Sequence, residues 1–137
     1  MLVDKPKWIS HADENGATTP IYGLDIHPDG SRLATAGGDR KVKVWNMAPV
    51  RDAAMEADES VPKLLATLVI HVGAVNCVRF NRSGRFIASG SDDHNVMLFQ
   101  LIPGQPRGVF GSSDVNLENW QACSGAATCR ARVAFSR

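Results

Sequence analysis

Two stretches of the chain carry one and the same pattern of apolar, small and polar positions. Ile21–Asn46 reads IYGLDIHPDGSRLATAGGDRKVKVWN and Val75–Gln100 reads VNCVRFNRSGRFIASGSDDHNVMLFQ. The copies are equal in length and align without a gap, with Ile21 falling on Val75 and Asn46 on Gln100. Identities fall at Gly30/Gly84, Ala34/Ala88, Asp39/Asp93 and Val42/Val96. Matched residues stand at Ile26/Phe80, Leu33/Ile87, Thr35/Ser89, Val44/Leu98 and Trp45/Phe99. Each copy predicts a strand (Tyr22–Ile26; Val75–Phe80), then a tight turn around Asp29-Gly30 or Ser83-Gly84, where glycine supplies the positive φ. A small-residue strand follows, then an acidic turn at Asp39 or Asp93. A strand of period two closes the unit, with Lys43 turned away from the apolar face. Lys63–Leu68 reads as a fourth, outer strand of the first unit.

A unit of three strands plus a fourth is a propeller blade. The expected fold is therefore all-β: a partial β-propeller of about two four-stranded antiparallel blades, with eight strands or fewer. The domain reading puts partial propeller at 5–120, blade one at about 21–69 and blade two at about 74–120. An irregular tail, QACSGAATCRARVAFSR, fills 121–137. Met47–Pro62 (MAPVRDAAMEADESVP) lengthens the spacing beyond the usual ~40–45 residues and is expected to be an exposed acidic loop or short helix. Ala12–Thr19 reads as an inserted loop, and Lys5–Ser10 as a strand belonging to a blade further round the ring. Two blades leave apolar faces uncovered, so residues 1–137 alone are expected to unfold, aggregate or depend on a partner.

Composition narrows the function. Fifteen basic residues against fourteen acidic ones give a net charge of +1, which supplies no field for strong nucleic-acid or anionic-membrane binding. No run approaches the roughly 18 apolar residues of a membrane helix. Cys77, Cys123 and Cys129 are too few for a disulfide scaffold and lack zinc spacing, which suits a reducing compartment. Gly37-Gly38 is a turn and not a phosphate cradle; no nucleophile elbow or metalloprotease motif is present. The chain is thus expected to be no enzyme, with no cofactor and no metal. His27 and His94 fall in turns without a ligand cluster around them.

A histidine, a small hydroxyl residue, an aspartate and a tryptophan recur in order, and this set resembles the signature of WD repeats. The first copy offers His11, Thr35, Asp39 and Trp45; the second offers His71, Ser89, Asp93 and Phe99. In that family the four side chains form a buried hydrogen-bonded chain, indole to hydroxyl to imidazole to carboxylate. The resemblance thus implies a structural role for them, and Phe99, having no N–H, leaves the second chain one donor short. More specific strings are KPKWISH at Lys5–His11, DIHPDG at Asp25–Gly30, KVKVWNM at Lys41–Met47, VNCVRF at Val75–Phe80, ASGSDD at Ala88–Asp93, FGSS at Phe110–Ser113 and VNLENW at Val115–Trp120. As an ordered set they resemble the opening of the HIRA/Hir family of histone-chaperone subunits, and LLATL and GSDD are similar to its plant-lineage members. That resemblance implies a nuclear protein-interaction module in a complex that assembles chromatin independently of replication and represses transcription. It also implies a ubinuclein-like partner among the complex subunits, with histones engaged indirectly. The alternative is a WD scaffold of another complex, a ubiquitin-ligase adaptor or RNA-processing factor.

Overall fold

The computed structural model describes residues 6–103 and 116–123. Lys5, the FGSS string at 110–113 and the tail from 124 to 137, with Cys129, lie outside the described residues. Two four-stranded antiparallel sheets make up the body. The first runs β3 (Ile21–Ile26), β4 (Arg32–Gly37), β5 (Val42–Asn46) and β6 (Leu64–Leu68) in spatial order. The second runs β7 (Val75–Phe80), β8 (Phe86–Ser91), β9 (Val96–Ile102) and β10 (Asn119–Ala122). The sequence repeat is also a repeat of register. Ile21 pairs with Gly37 and Gly23 with Ala36 across a bulge; at the equivalent place in the second copy, Val75 pairs with Ser91 and Cys77 with Gly90 across the same bulge. Gly30 and Gly84 turn at φ +77° and +75°, a conformation that costs other residues a Cβ clash.

Three expectations are amended. Ala12–Thr19 is not a plain loop: β1 (His11–Ala12) and β2 (Thr18–Thr19) form a short hairpin, so the described strands number ten and not eight. Asp13 makes that hairpin possible, its carboxylate accepting from the amides of Asn15 and Ala17, both at 2.9 Å. Residues 6–10 are turn, not strand. Pro6 has no N–H to offer a ladder, and Trp8 instead packs on Trp45 with ring centroids 5.8 Å apart. β10 extends two positions into the expected tail, because Gln121 and Ala122 still pair with Gln100 and Phe99. The Met47–Pro62 insertion holds two one-turn helices, α1 (Ala48–Arg51) and α2 (Ala53–Ala57); Asp52 caps α2 by accepting from Ala54 N at 2.9 Å.

The sheets share one core, in which Ala34, Val42, Val44 and Ala66 of the first blade meet Val75, Val78, Ile87 and Phe99 of the second. Polar bonds fix the angle between them. Gly23 lets β3 approach β7, since a Cβ there would stand 2.9 Å from the Asn76 carbonyl oxygen. Asp25 Oδ2 accepts from the buried Phe80 amide at 2.8 Å, and His27 Nε2–H donates to the Gly84 carbonyl at 3.0 Å. At the outer rim Arg32 grips Glu118 with its Nε 2.8 and 2.9 Å from the two oxygens, and Leu65 O accepts the amides of Leu117 and Glu118. Among the described residues no helix is long and apolar enough to cross a membrane.

Candidate functional site

The polar side chains singled out by the repeat come together inside the blades. Small residues on β4 and β8 leave room beside the sheet for an imidazole: a Cβ at Gly37 would fall on the His11 ring. In blade one Trp45 Nε1–H donates to Thr35 Oγ1 at 2.8 Å. Thr35 and His11 Nε2 are 2.7 Å apart, and His11 Nδ1 lies 2.7 Å from Asp39 Oδ1. With the hydroxyl already accepting from the indole, its proton goes to Nε2, so His11 carries its own proton on Nδ1 and donates to Asp39. All four residues are buried. Burial is also what lowers the His11 pKa below 6.5, outweighing the pull of Asp39 toward the charged form.

Blade two repeats the arrangement with three members. Ser89 Oγ is 2.7 Å from His71 Nε2, and His71 Nδ1 is 2.9 Å from Asp93 Oδ2. Phe99 occupies the tryptophan position, paired with Ile87 as Trp45 is with Leu33, and is 1% exposed. Its ring supplies packing and no donor. Burial pushes the Asp93 carboxyl up, but bonds from His71 and from the Asn95 and Val72 amides prevail and hold it at about 2. Chemically, the donors and acceptors of each chain are spent within its own blade, save Oδ2 of Asp39, which has no hydrogen-bond partner among the described residues. Among the described residues no group of three His, Cys, Asp or Glu side chains is arranged to hold a metal ion.

The bonds between the blades escaped the repeat. Asp25, His27, Arg32, Asn116 and Glu118 each join one blade to the other. Asp25 and His27 have Arg79 and Asn81 at the matching positions of the second copy. That mismatch inside an otherwise regular repeat was the available signal.

Two expected results follow from this geometry. Trp45→Phe, which gives blade one the second blade's composition, should cost about 1 kcal/mol by loss of one buried hydrogen bond, read from denaturant midpoints. Stability should also fall on acidification in two steps. His11 is held neutral in the fold, so the unfolded chain binds more protons below pH 6.5 and stability is lost as pH falls through that value. Asp93 and Asp29, both near 2 against 3.8, contribute stability above 3.8 that disappears between 3.8 and about 2. The bonds donated by Ser31 account for Asp29. Thermal melts from pH 8 to pH 2 would resolve both steps, and His11→Gln should flatten the upper one.

Repeated four-stranded antiparallel blades with this buried chain define the WD-repeat class of β-propeller proteins. The family model "WD domain, G-beta repeat" matches residues 9–46 and 62–100, and the chain belongs to that family. Within the class it is similar to the HIR and HIRA proteins, in agreement with the sequence strings. It is 46% identical to Protein HIR1 of Cryptococcus neoformans over 89% of this chain and 43% identical to Protein HIRA of Homo sapiens over 90% of it. Protein HIRA of Oryza sativa is 40% identical over 88%. The chain spans 14% of the length of the fungal relative and 12% of the human one.

Proposed function

We propose that the chain is part of the interaction platform of a HIR-type histone-chaperone complex, acting in the nucleus in replication-independent chromatin assembly and transcriptional repression. One observation carries this reading: identity of 40–46% to proteins named HIR1 and HIRA extends over nearly nine-tenths of the chain. It therefore covers the loops and the insertion as well as the blade framework. WD-repeat proteins are typically scaffolds without catalysis, and the polar chains here support such a role, since their hydrogen bonds are spent on holding strands together.

In this reading further blades complete a ring with the two described ones. The outward face of β3 supports it: Leu24 and Ile26 are 57% and 49% exposed, whereas Val78 and Phe80, their counterparts in the second copy, are 0% and 5% exposed because the first blade covers them. The partners are other chaperone subunits, a ubinuclein-like protein among them, with histones engaged through the complex. DNA contact is expected to be weak and salt-sensitive, given the near-neutral charge. Co-purification of the full-length protein from nuclei tests the proposal. Recovery of histone-chaperone subunits is the expected result; recovery of only ubiquitin-ligase or RNA-processing subunits would overturn it.

A further inference from the structure

The two blades differ in how their aspartates are satisfied. In blade two both oxygens of Asp93 are used: Oδ2 accepts from His71 and from Val72 N at 3.1 Å, and Oδ1 accepts from Asn95 N at 2.9 Å. In blade one Asp39 Oδ1 takes both donors, His11 Nδ1 and Lys41 N. Oδ2 of Asp39 is buried and has no hydrogen-bond partner among the described residues, on a side chain 1% exposed. The inserted hairpin accounts for the difference. Val72, next after His71, turns its amide onto Asp93, whereas Ala12, next after His11, lies in the ladder opposite Thr18. A buried acceptor without a donor is costly and calls for an explanation.

Asp39 lines a groove of about 320 Å³, a size that suits a few side chains. The hairpin residues Asp13 and Glu14 form one wall, Arg40 and Lys41 lie along the turn, and Val69 and Val72 make an apolar lip, 64% and 78% exposed. Three carboxylates thus meet two cations, and Arg40 is already beside Glu14 at 3.4 Å. We propose that this groove receives a lysine side chain from an extended segment of a partner protein, with the ammonium donating to Asp39 Oδ2 and apolar neighbours covering Val69 and Val72. Lysine fits better than arginine because one oxygen, buried at the groove wall, lacks a donor. A guanidinium is built for two, while an ammonium is a compact donor on an apolar stem. The inference rests on reading the chain as an interaction module, but not on which complex it serves.

The test titrates the full-length protein, segmentally labelled over these blades, with the capped tripeptide Leu-Lys-Leu, followed by amide NMR shifts. Saturable shifts at Asp13, Glu14, Gly38, Lys41, Val69 and Val72 are expected. Replacing the lysine by norleucine should weaken binding at least about tenfold, as loss of one charge-assisted hydrogen bond requires. Val72→Lys, at an exposed position, should abolish binding while leaving the melting profile intact. Equal affinity for the lysine and norleucine peptides, shifts elsewhere, or a crystal structure with peptide present in which only a water meets Oδ2 would each overturn the proposal. Peptide binding without recovery of chaperone subunits from nuclei counts against the complex assignment alone. Recovery of those subunits without peptide binding counts against the groove alone.

Discussion

Replacing Asp39 by alanine should destabilise the protein by about 2–4 kcal/mol, a large share of the roughly 5–15 kcal/mol that holds a typical domain together. The carboxylate accepts two donors through Oδ1, the His11 Nδ1–H and the Lys41 amide. Removing it leaves the imidazole proton buried without an acceptor, at the end of a chain that runs through Thr35 to Trp45. His11 could then swing out, taking the β1–β2 hairpin with it, or stay and bear the cost. Asp39→Asn keeps a carbonyl oxygen for the same two donors and puts an amide where the unpaired oxygen stands, so it should lose about 1 kcal/mol or less. Chemical denaturation of the two variants side by side provides the check. Equal losses would mean that charge, and not the acceptor, is what the blade needs.

Gly84→Ala should be about as damaging, at around 3 kcal/mol, while the repeat-equivalent Gly30→Ala should cost about 1 kcal/mol. Both glycines sit at the same turn position, with φ +75° and +77°, so backbone strain is common to both variants. Their surroundings differ. A Cβ on Gly30 would meet only the end of the Arg51 side chain, at 2.8 Å, and a flexible side chain moves aside cheaply. A Cβ on Gly84 would fall on the His27 imidazole. That ring donates to the Gly84 carbonyl and stacks edge-on against Phe80 with centroids 5.0 Å apart. Displacing it opens the contact between blades. The difference between the two variants, measured as a shift in unfolding midpoint, therefore isolates the worth of the His27 bridge. A difference near zero would show that the blades do not depend on it.

These two experiments divide along the line between what the sequence determined and what tertiary structure decided. The ungapped repeat determined the first three strands of each sheet and the turns at Gly30 and Gly84, and the apolar run Lys63–Leu68 gave the fourth strand of the first. Alternation of period two fixes which side chains enter a sheet, and glycine is readable because few residues tolerate positive φ. It also pointed to Asp39 and its companions as one set, since a tryptophan, a hydroxyl, a histidine and an aspartate recurring at matching places have few uses besides bonding to each other. What precedes the first repeat, and what joins the blades, was not legible. The hairpin at His11–Thr19 depends on Asp13 receiving two amides, and a single aspartate in a polar stretch looks like any loop residue. The turn at 6–10 depends on Trp8 finding Trp45, far along the chain on the third strand of the first blade. The bridges made by Asp25, His27 and Arg32 needed the angle between blades, which no local pattern encodes. Periodicity reports a strand's own faces; it cannot report which partner a polar side chain meets once two sheets are pressed together.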